Sequence, residues 1–194
     1  MKIIFWLTKI GLLTTSCLIA VSPAFSQTVE QAPSSPDSQL TSELDEIVYF
    51  EGNWRCQQPP SSLSSESIAL NWQVERDLND SWYVGYAEEV ATITNPDPTS
   101  SREFLGYDAV SEHLVRVSVA SNGNLLNLTS SGWQDEQLIW EGTVTTRNEL
   151  ISLRQIITRE NENTFAATYF VLDTVSNEWQ AAVSETCERQ VSLA

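Results

Sequence analysis

From about residue 50 almost to its end, this chain alternates apolar and polar side chains with a period of two, and that constrains its fold more than any other feature. Ile68, Leu70, Trp72 and Val74 interleave with Ala69, Asn71, Gln73 and Glu75, and Val115, Val117 and Val119 interleave with Arg116 and Ser118. A period of two places alternate residues on opposite faces of a β-strand, so each run is a strand with one buried face. Similar runs fall at about 52–57, 66–77, 82–94, 102–110, 112–121, 124–132, 137–146, 150–160, 164–173 and 177–190. The turns between them are short and polar, such as Ser121-Asn122-Gly123-Asn124 and Arg147-Asn148-Glu149. About ten strands in sequence predict an antiparallel meander, and rolling it into an up-and-down barrel removes the two edges an open sheet would expose.

The N-terminal segment follows other rules. Lys2 and Lys9 precede an apolar stretch from Ile10 to Val21, and the small residues Ala24 and Ser26 sit three and one before a cleavage point after Ser26. That is the pattern of a secretory signal peptide over residues 1–26. A membrane-spanning helix fits less well, because the run is shorter than the ~20 residues a bilayer needs and Pro23 ends it. A lipid anchor at Cys17 is disfavoured, since an apolar run follows it. Residues 27–39, QTVEQAPSSPDSQ, are polar with two prolines and are expected to form a flexible linker. Leu40, Leu44, Ile47 and Val48 then recur at helical spacing behind Ser38 and Thr41, which predicts one short amphipathic helix ending before Gly52. The all-β domain is therefore placed at residues 40–194.

Cleavage would remove both lysines. The chain beyond residue 26 keeps eight arginines against 26 acidic residues, and 8 − 26 gives a formal charge of −18. Such a surface repels phosphate backbones and anionic headgroups, so neither nucleic acid nor a membrane surface is an expected partner. Cys56 and Cys187 remain after cleavage, one near each end of the domain. A pair in an exported protein most often forms a disulfide, and in an even-stranded barrel these positions fall on the adjacent first and last strands. A redox-active or metal-binding pair is the alternative, with no C-x-x-C motif and a single histidine to support it. No cofactor or metal is expected.

Gly52-Asn53-Trp54 resembles the G-x-W start of lipocalin-like (calycin-type) barrels. The succession of that motif, Trp72 with Arg76, Gly106-Tyr107-Asp108, Trp140-Glu141-Gly142, and Trp179 with Glu188-Arg189 is similar to a bacterial family of lipocalin-like domains of unknown function. The resemblance spans about residues 40 to 190. It implies that Trp54 packs at a closed barrel end against an arginine of the last strand, for which Arg189 is the match.

Parity along the strands nominates an interior of Trp54, Trp72, Val74, Arg76, Val115, Val117, Leu138, Trp140, Leu153, Gln155, Ile157, Phe165, Tyr169 and Trp179, either as plain core or as the wall of a pocket. Arg76, Arg159, Arg189, Glu185 and Asp108 are the charged residues at interior parity, and Arg76 is the expected anion-recognising group. His113 shares parity with Val115 and is a candidate inward contact, pH-sensitive or ligating. The candidate ligand residues are thus Trp72, Arg76, Trp140, Gln155, Tyr169 and His113.

The expected protein is secreted or periplasmic and binds a small, partly apolar molecule in its lumen without catalysis. A periplasmic interaction or inhibitor module acting through rim loops, such as Gln57 to Ser65 and Asn95 to Ser101, is the alternative. A hydrolase or isomerase is the weakest reading, because no Gly-x-Ser-x-Gly or comparable motif occurs.

Overall fold

The computed structural model describes residues 43–61 and 66–190. The expected signal peptide, its cleavage site, the linker and the start of the expected helix lie outside these residues.

The alternating runs form strands β1 (Gly52–Gln58), β2 (Ile68–Asp77), β3 (Trp82–Glu89), β4 (Ser100–Asp108), β5 (His113–Ala120) and β6 (Leu125–Ser130). After the two-residue β7 (Trp133–Gln134) come β8 (Gln137–Thr145), β9 (Leu150–Asn161), β10 (Thr164–Asp173) and β11 (Glu178–Arg189). Neighbours in sequence pair antiparallel, β6 pairs with β8, and β1 pairs with β11. Ten strands therefore close into a ring, and β7 attaches outside it along β8. The expected barrel of about ten strands is present. Among the described residues no helix is long and apolar enough to cross a membrane.

The N-terminal helix is corrected to a 3-10 turn. Val48–Phe50 is the helical element described, and the bonds from Ile47 to Leu44, Phe50 to Ile47 and Glu51 to Val48 each span three residues. Ile47, Val48, Tyr49 and Phe50 are β-branched or aromatic and disfavour a regular α-helix. Leu44, Ile47 and Phe50 are all buried, and a spacing of three puts them on one face of a 3-10 turn.

That face plugs one end of the barrel. The Phe50 ring lies 5.6 Å from both Trp72 and Phe165 and stacks at 5.9 Å on Trp133. Trp133 explains β7: its indole N–H donates to the Glu46 carbonyl at 2.7 Å, and its backbone N–H donates to the Glu46 carboxylate at 3.0 Å. Arg159 sits between the rings of Tyr49 and Trp133, 4.3 and 4.1 Å from their centroids, a double cation–π contact. On the other side Arg189 covers Trp54 at 4.2 Å and donates to the carbonyls of Tyr49 and Glu51, while the Trp54 indole donates to the Phe50 carbonyl at 2.8 Å. Gly52 has φ +116°, and a Cβ there would come 2.9 Å from the Arg189 guanidinium. Both the backbone and the arginine therefore require glycine at the start of the G-x-W motif.

Two parity expectations fail. In β5 the interior residues are Leu114, Arg116 and Ser118, all buried, whereas Val115 and Val117 face outward. Trp179 also lies outside, with the Arg154 guanidinium 4.5 Å from its ring. The register between β10 and β11 shifts from Tyr169↔Val183 to Phe170↔Ala181. The bulge inserts one residue and reverses the facing of everything before it in β11.

Cys56 and Cys187 are paired across β1 and β11 and joined by a disulfide, as expected. The bridge spans 131 positions, for which the chain-entropy model gives about 5 kcal/mol of stabilisation. Cys56→Ser/Cys187→Ser is expected to lose about 2–5 kcal/mol of unfolding free energy with an unchanged far-ultraviolet spectrum, as measured by urea denaturation.

Candidate binding chamber

Beyond the aromatic layer of Trp72 and Phe165, away from the plug, the interior side chains become small. Ala87 and Ser101 leave unfilled space there, and a chamber of about 150 Å³ results. Its apolar wall is Leu70, Trp72, Ile157, Phe165 and the Cys56–Cys187 cystine, and its polar wall is Gln58, Glu103, Arg116, Gln155, Tyr169 and Glu185.

The polar wall is two connected groups. In the first, Arg116 from β5 grips Glu103 from β4: Nε donates to Oε2 at 3.0 Å and Nη2 to Oε1 at 3.1 Å, and Nη1 donates to the Gln155 amide oxygen at 2.7 Å. The pairing Leu105↔Arg116 sets the facing, since Leu105 is fully inside. These bonds engage three of the five N–H groups of the guanidinium. Burial opposes the Arg116 charge most strongly, but Glu103 together with Tyr169 and Glu185 holds the pKa above its ordinary value, so the group stays protonated. The guanidinium also lies 5.7 Å from the Trp72 ring.

In the second group, Glu185 from β11 accepts a hydrogen bond from the Tyr169 hydroxyl at 2.7 Å and another from the Gln58 amide at 3.1 Å. Burial raises the Glu185 pKa above its ordinary value; the bonds from Tyr169 and Gln58 and the attraction of Arg116 oppose that rise without cancelling it. Burial, and then the neighbouring Glu185 charge, push the Tyr169 phenol well above its usual value.

The Trp72 indole N–H is buried without a partner. A Cβ at residue 85 would lie 3.1 Å from this nitrogen and 3.2 Å from the Glu103 Cβ. Gly85 thus leaves room for both the indole edge and the carboxylate stem.

Of the candidates named from sequence, Trp72, Gln155 and Tyr169 meet in this chamber. Trp140 is fully buried in the core but is not part of the chamber wall. Arg76 sits toward the plugged end, where Nε donates to the Tyr83 hydroxyl at 2.9 Å and Nη2 lies 3.5 Å from Asp45. His113 is outside the barrel, with Nδ1 against the Ser111 carbonyl, in a surface groove with Ser131 and Glu141. Asp108 caps its turn through the Val110 N–H and the Ser111 hydroxyl. Sequence reasoning missed Glu103, Arg116 and Gln58. The available signal was the short 108–113 hairpin: once Leu105 is placed inside, its register carries Arg116 inside as well.

No protein-family model matches this chain, and no curated protein matches it. Among solved structures it is similar to the crystal structure of Rv2717c from M. tuberculosis, with a TM-score of 0.54 at 9% identity, covering 76% of this chain and 97% of that one. At that identity the likeness is one of fold, an antiparallel barrel.

Two outcomes follow from the polar wall. Arg116→Ala strands the Glu103 carboxylate and is expected to cost about 3–5 kcal/mol in urea denaturation, whereas Arg116→Met/Glu103→Leu, which removes both charges, recovers most of that loss. Glu185 binds its proton more tightly folded than unfolded. Stability is therefore expected to fall as pH rises from the ordinary carboxylate value through the raised one, a slope that Glu185→Gln removes in pH-dependent melting curves.

Proposed function

We propose that this chain is an exported, lipocalin-like barrel that holds a small, partly apolar molecule in its lumen and acts as a binding protein. The chamber carries the reading: an unfilled space bounded by aromatic rings on one side and by charged and hydrogen-bonding groups on the other. Stability alone gives little reason for such an interior, because apolar residues of similar volume are often as stabilising as a buried ion pair. Apolar walls with a few converging polar groups are the usual makeup of small-molecule sites.

Size narrows the class. A cavity of about 150 Å³ is comparable to one that accepts benzene, so the occupant is a single ring with a short substituent. The unpartnered Trp72 N–H offers a donor, and the Glu185 carboxylate an acceptor, to a polar substituent. The disulfide between Cys56 and Cys187 is compatible with an oxidising compartment, and residues 1–26 have the pattern that would deliver the chain there. Of the rim loops in the alternative reading, residues 62–65 lie outside the described residues.

Filling the chamber tests the proposal. Ala87→Phe, whose new ring occupies the space, is expected to abolish calorimetric binding of benzyl alcohol while the barrel still melts cooperatively. Arg76→Ala, at the other end, leaves that binding unchanged. Equal affinity in wild type and Ala87→Phe would move the site out of the lumen.

A further inference from the structure

Two carboxylates, Glu103 and Glu185, line the chamber with one guanidinium, Arg116, between them, and no other arginine of the described residues reaches them. Glu185 is buried and lines the chamber, yet the ion pairs among the described residues are Arg76–Asp45, Arg116–Glu103 and Arg154–Glu141. The partners of Glu185 are two neutral donors, Tyr169 and Gln58. Arg116 is the arginine of the chamber wall, and Glu103 occupies its Nε and Nη2 edge. The other seven arginines are bound elsewhere, on tyrosine and tryptophan rings, on backbone carbonyls, or on other carboxylate and amide side chains. Both lysines lie in residues 1–42, outside the described residues.

We propose that the ligand is a small organic cation, a protonated amine or amidine on a ring, whose positive charge sits on Glu185 and whose ring lies against Trp72 and Phe165. The inference rests on the chamber being the binding site. A buried carboxylate without a counter-charge is costly, and a ligand that brings the missing charge recovers that cost on binding. Tyr169 and Gln58 each donate to one oxygen of the carboxylate, which leaves lone pairs for an incoming N–H. The aromatic wall suits a cation attached to a ring.

A metal ion fits less well. The cystine sulfurs lie within 4.8 Å of the Glu185 carboxylate, but they are bonded to each other and offer no thiolate, so a metal would meet one carboxylate. An anion would face two carboxylates, Glu103 and Glu185, with one guanidinium already neutralised.

The groups facing Glu185 are Tyr169 on β10, Arg116 on β5, Glu103 on β4 and the cystine, which does not titrate. Tyr169 stays neutral and Arg116 charged, so Glu185 is the group that changes protonation when a cation enters. Burial raises its pKa and a cation beside it would lower it again, so binding at a pH between the two releases a proton.

Calorimetry with three probes sharing one ring tests this on the oxidised protein: benzylammonium, benzyl alcohol and benzoate. Benzylammonium is expected to bind at least about tenfold tighter than benzyl alcohol, the ratio one charge-assisted hydrogen bond supplies, and benzoate weakest. The advantage shrinks as pH falls through the Glu185 titration, with proton release seen as a dependence on buffer ionisation heat. Glu185→Gln keeps the hydrogen-bonding shape and brings benzylammonium down to the level of benzyl alcohol. Tyr169→Phe removes one bond to the carboxylate and moves the pH midpoint upward. Benzyl alcohol binding as well as benzylammonium, or benzoate binding best, overturns the cation assignment and leaves the chamber standing. If none of the three binds, the chamber reading falls with it.

Discussion

A ten-stranded meander leaves no unpaired edge only if its first and last strands meet, and in this chain that seam is β1 against β11. Its inward side chains come in steps of two, and each step has a different task. Trp54 beside Arg189 locks the plugged end. Cys56 bonded to Cys187 fixes the middle covalently. Gln58 reaching Glu185 then opens onto the chamber. Register along this one strand pair therefore sets closure, plug and chamber wall together. A slip of one residue would turn one strand's three side chains outward and separate each from its partner.

From the seam, the interior grades from large to small. At one end the rings of Tyr49, Phe50, Trp54, Trp133 and Phe165 pack mostly edge to face, with Phe50 stacked on Trp133. A barrel of ten strands is wider than one of eight, whose side chains just fill it, so such rings are needed to close it. Toward the other end Ala87, Ser101 and Ser118 cannot span the lumen. The remaining space is bounded by groups whose hydrogen bonds are mostly made among themselves, a fixed arrangement that would lower the cost of ordering them on binding a ligand.

Much of this fold was legible from alternation alone, because burial on one face of a strand leaves a period of two. Strand positions, turns and the pairing of Cys56 with Cys187 all follow from it. The failures have specific causes. The β11 bulge at Tyr169/Phe170 has no sequence signature and reversed Trp179. The segment from Leu44 to Phe50 has a spacing that both α and 3-10 turns satisfy, and β-branched and aromatic residues decide for the latter. In β5 hydrophobicity pointed the wrong way, since valines occupy the outer face while Arg116 and Ser118 occupy the inner one. Pattern rules assume that apolar means inside, and they break where the inside has polar work. Trp72, Gln155 and Tyr169 were accessible from parity. Glu103 and Arg116 were not, because opposite charges on adjacent strands are ordinarily a solvated surface pair.

The same accounting of charge links the interior to the exterior. Beyond residue 26 the chain carries 26 acidic residues and eight arginines; two arginines hold the plug and one the chamber, and others pair with neighbouring rings and carboxylates on the outer face. The outer field is left negative. Such a field concentrates cations and repels anions near the protein over roughly one Debye length, about 8 Å at physiological ionic strength. Its influence on approach fades with added salt, whereas a pair formed inside the chamber is screened much less. Surface charge and interior charge would therefore select in the same direction by separable mechanisms, the first through the rate of entry and the second through the rate of release.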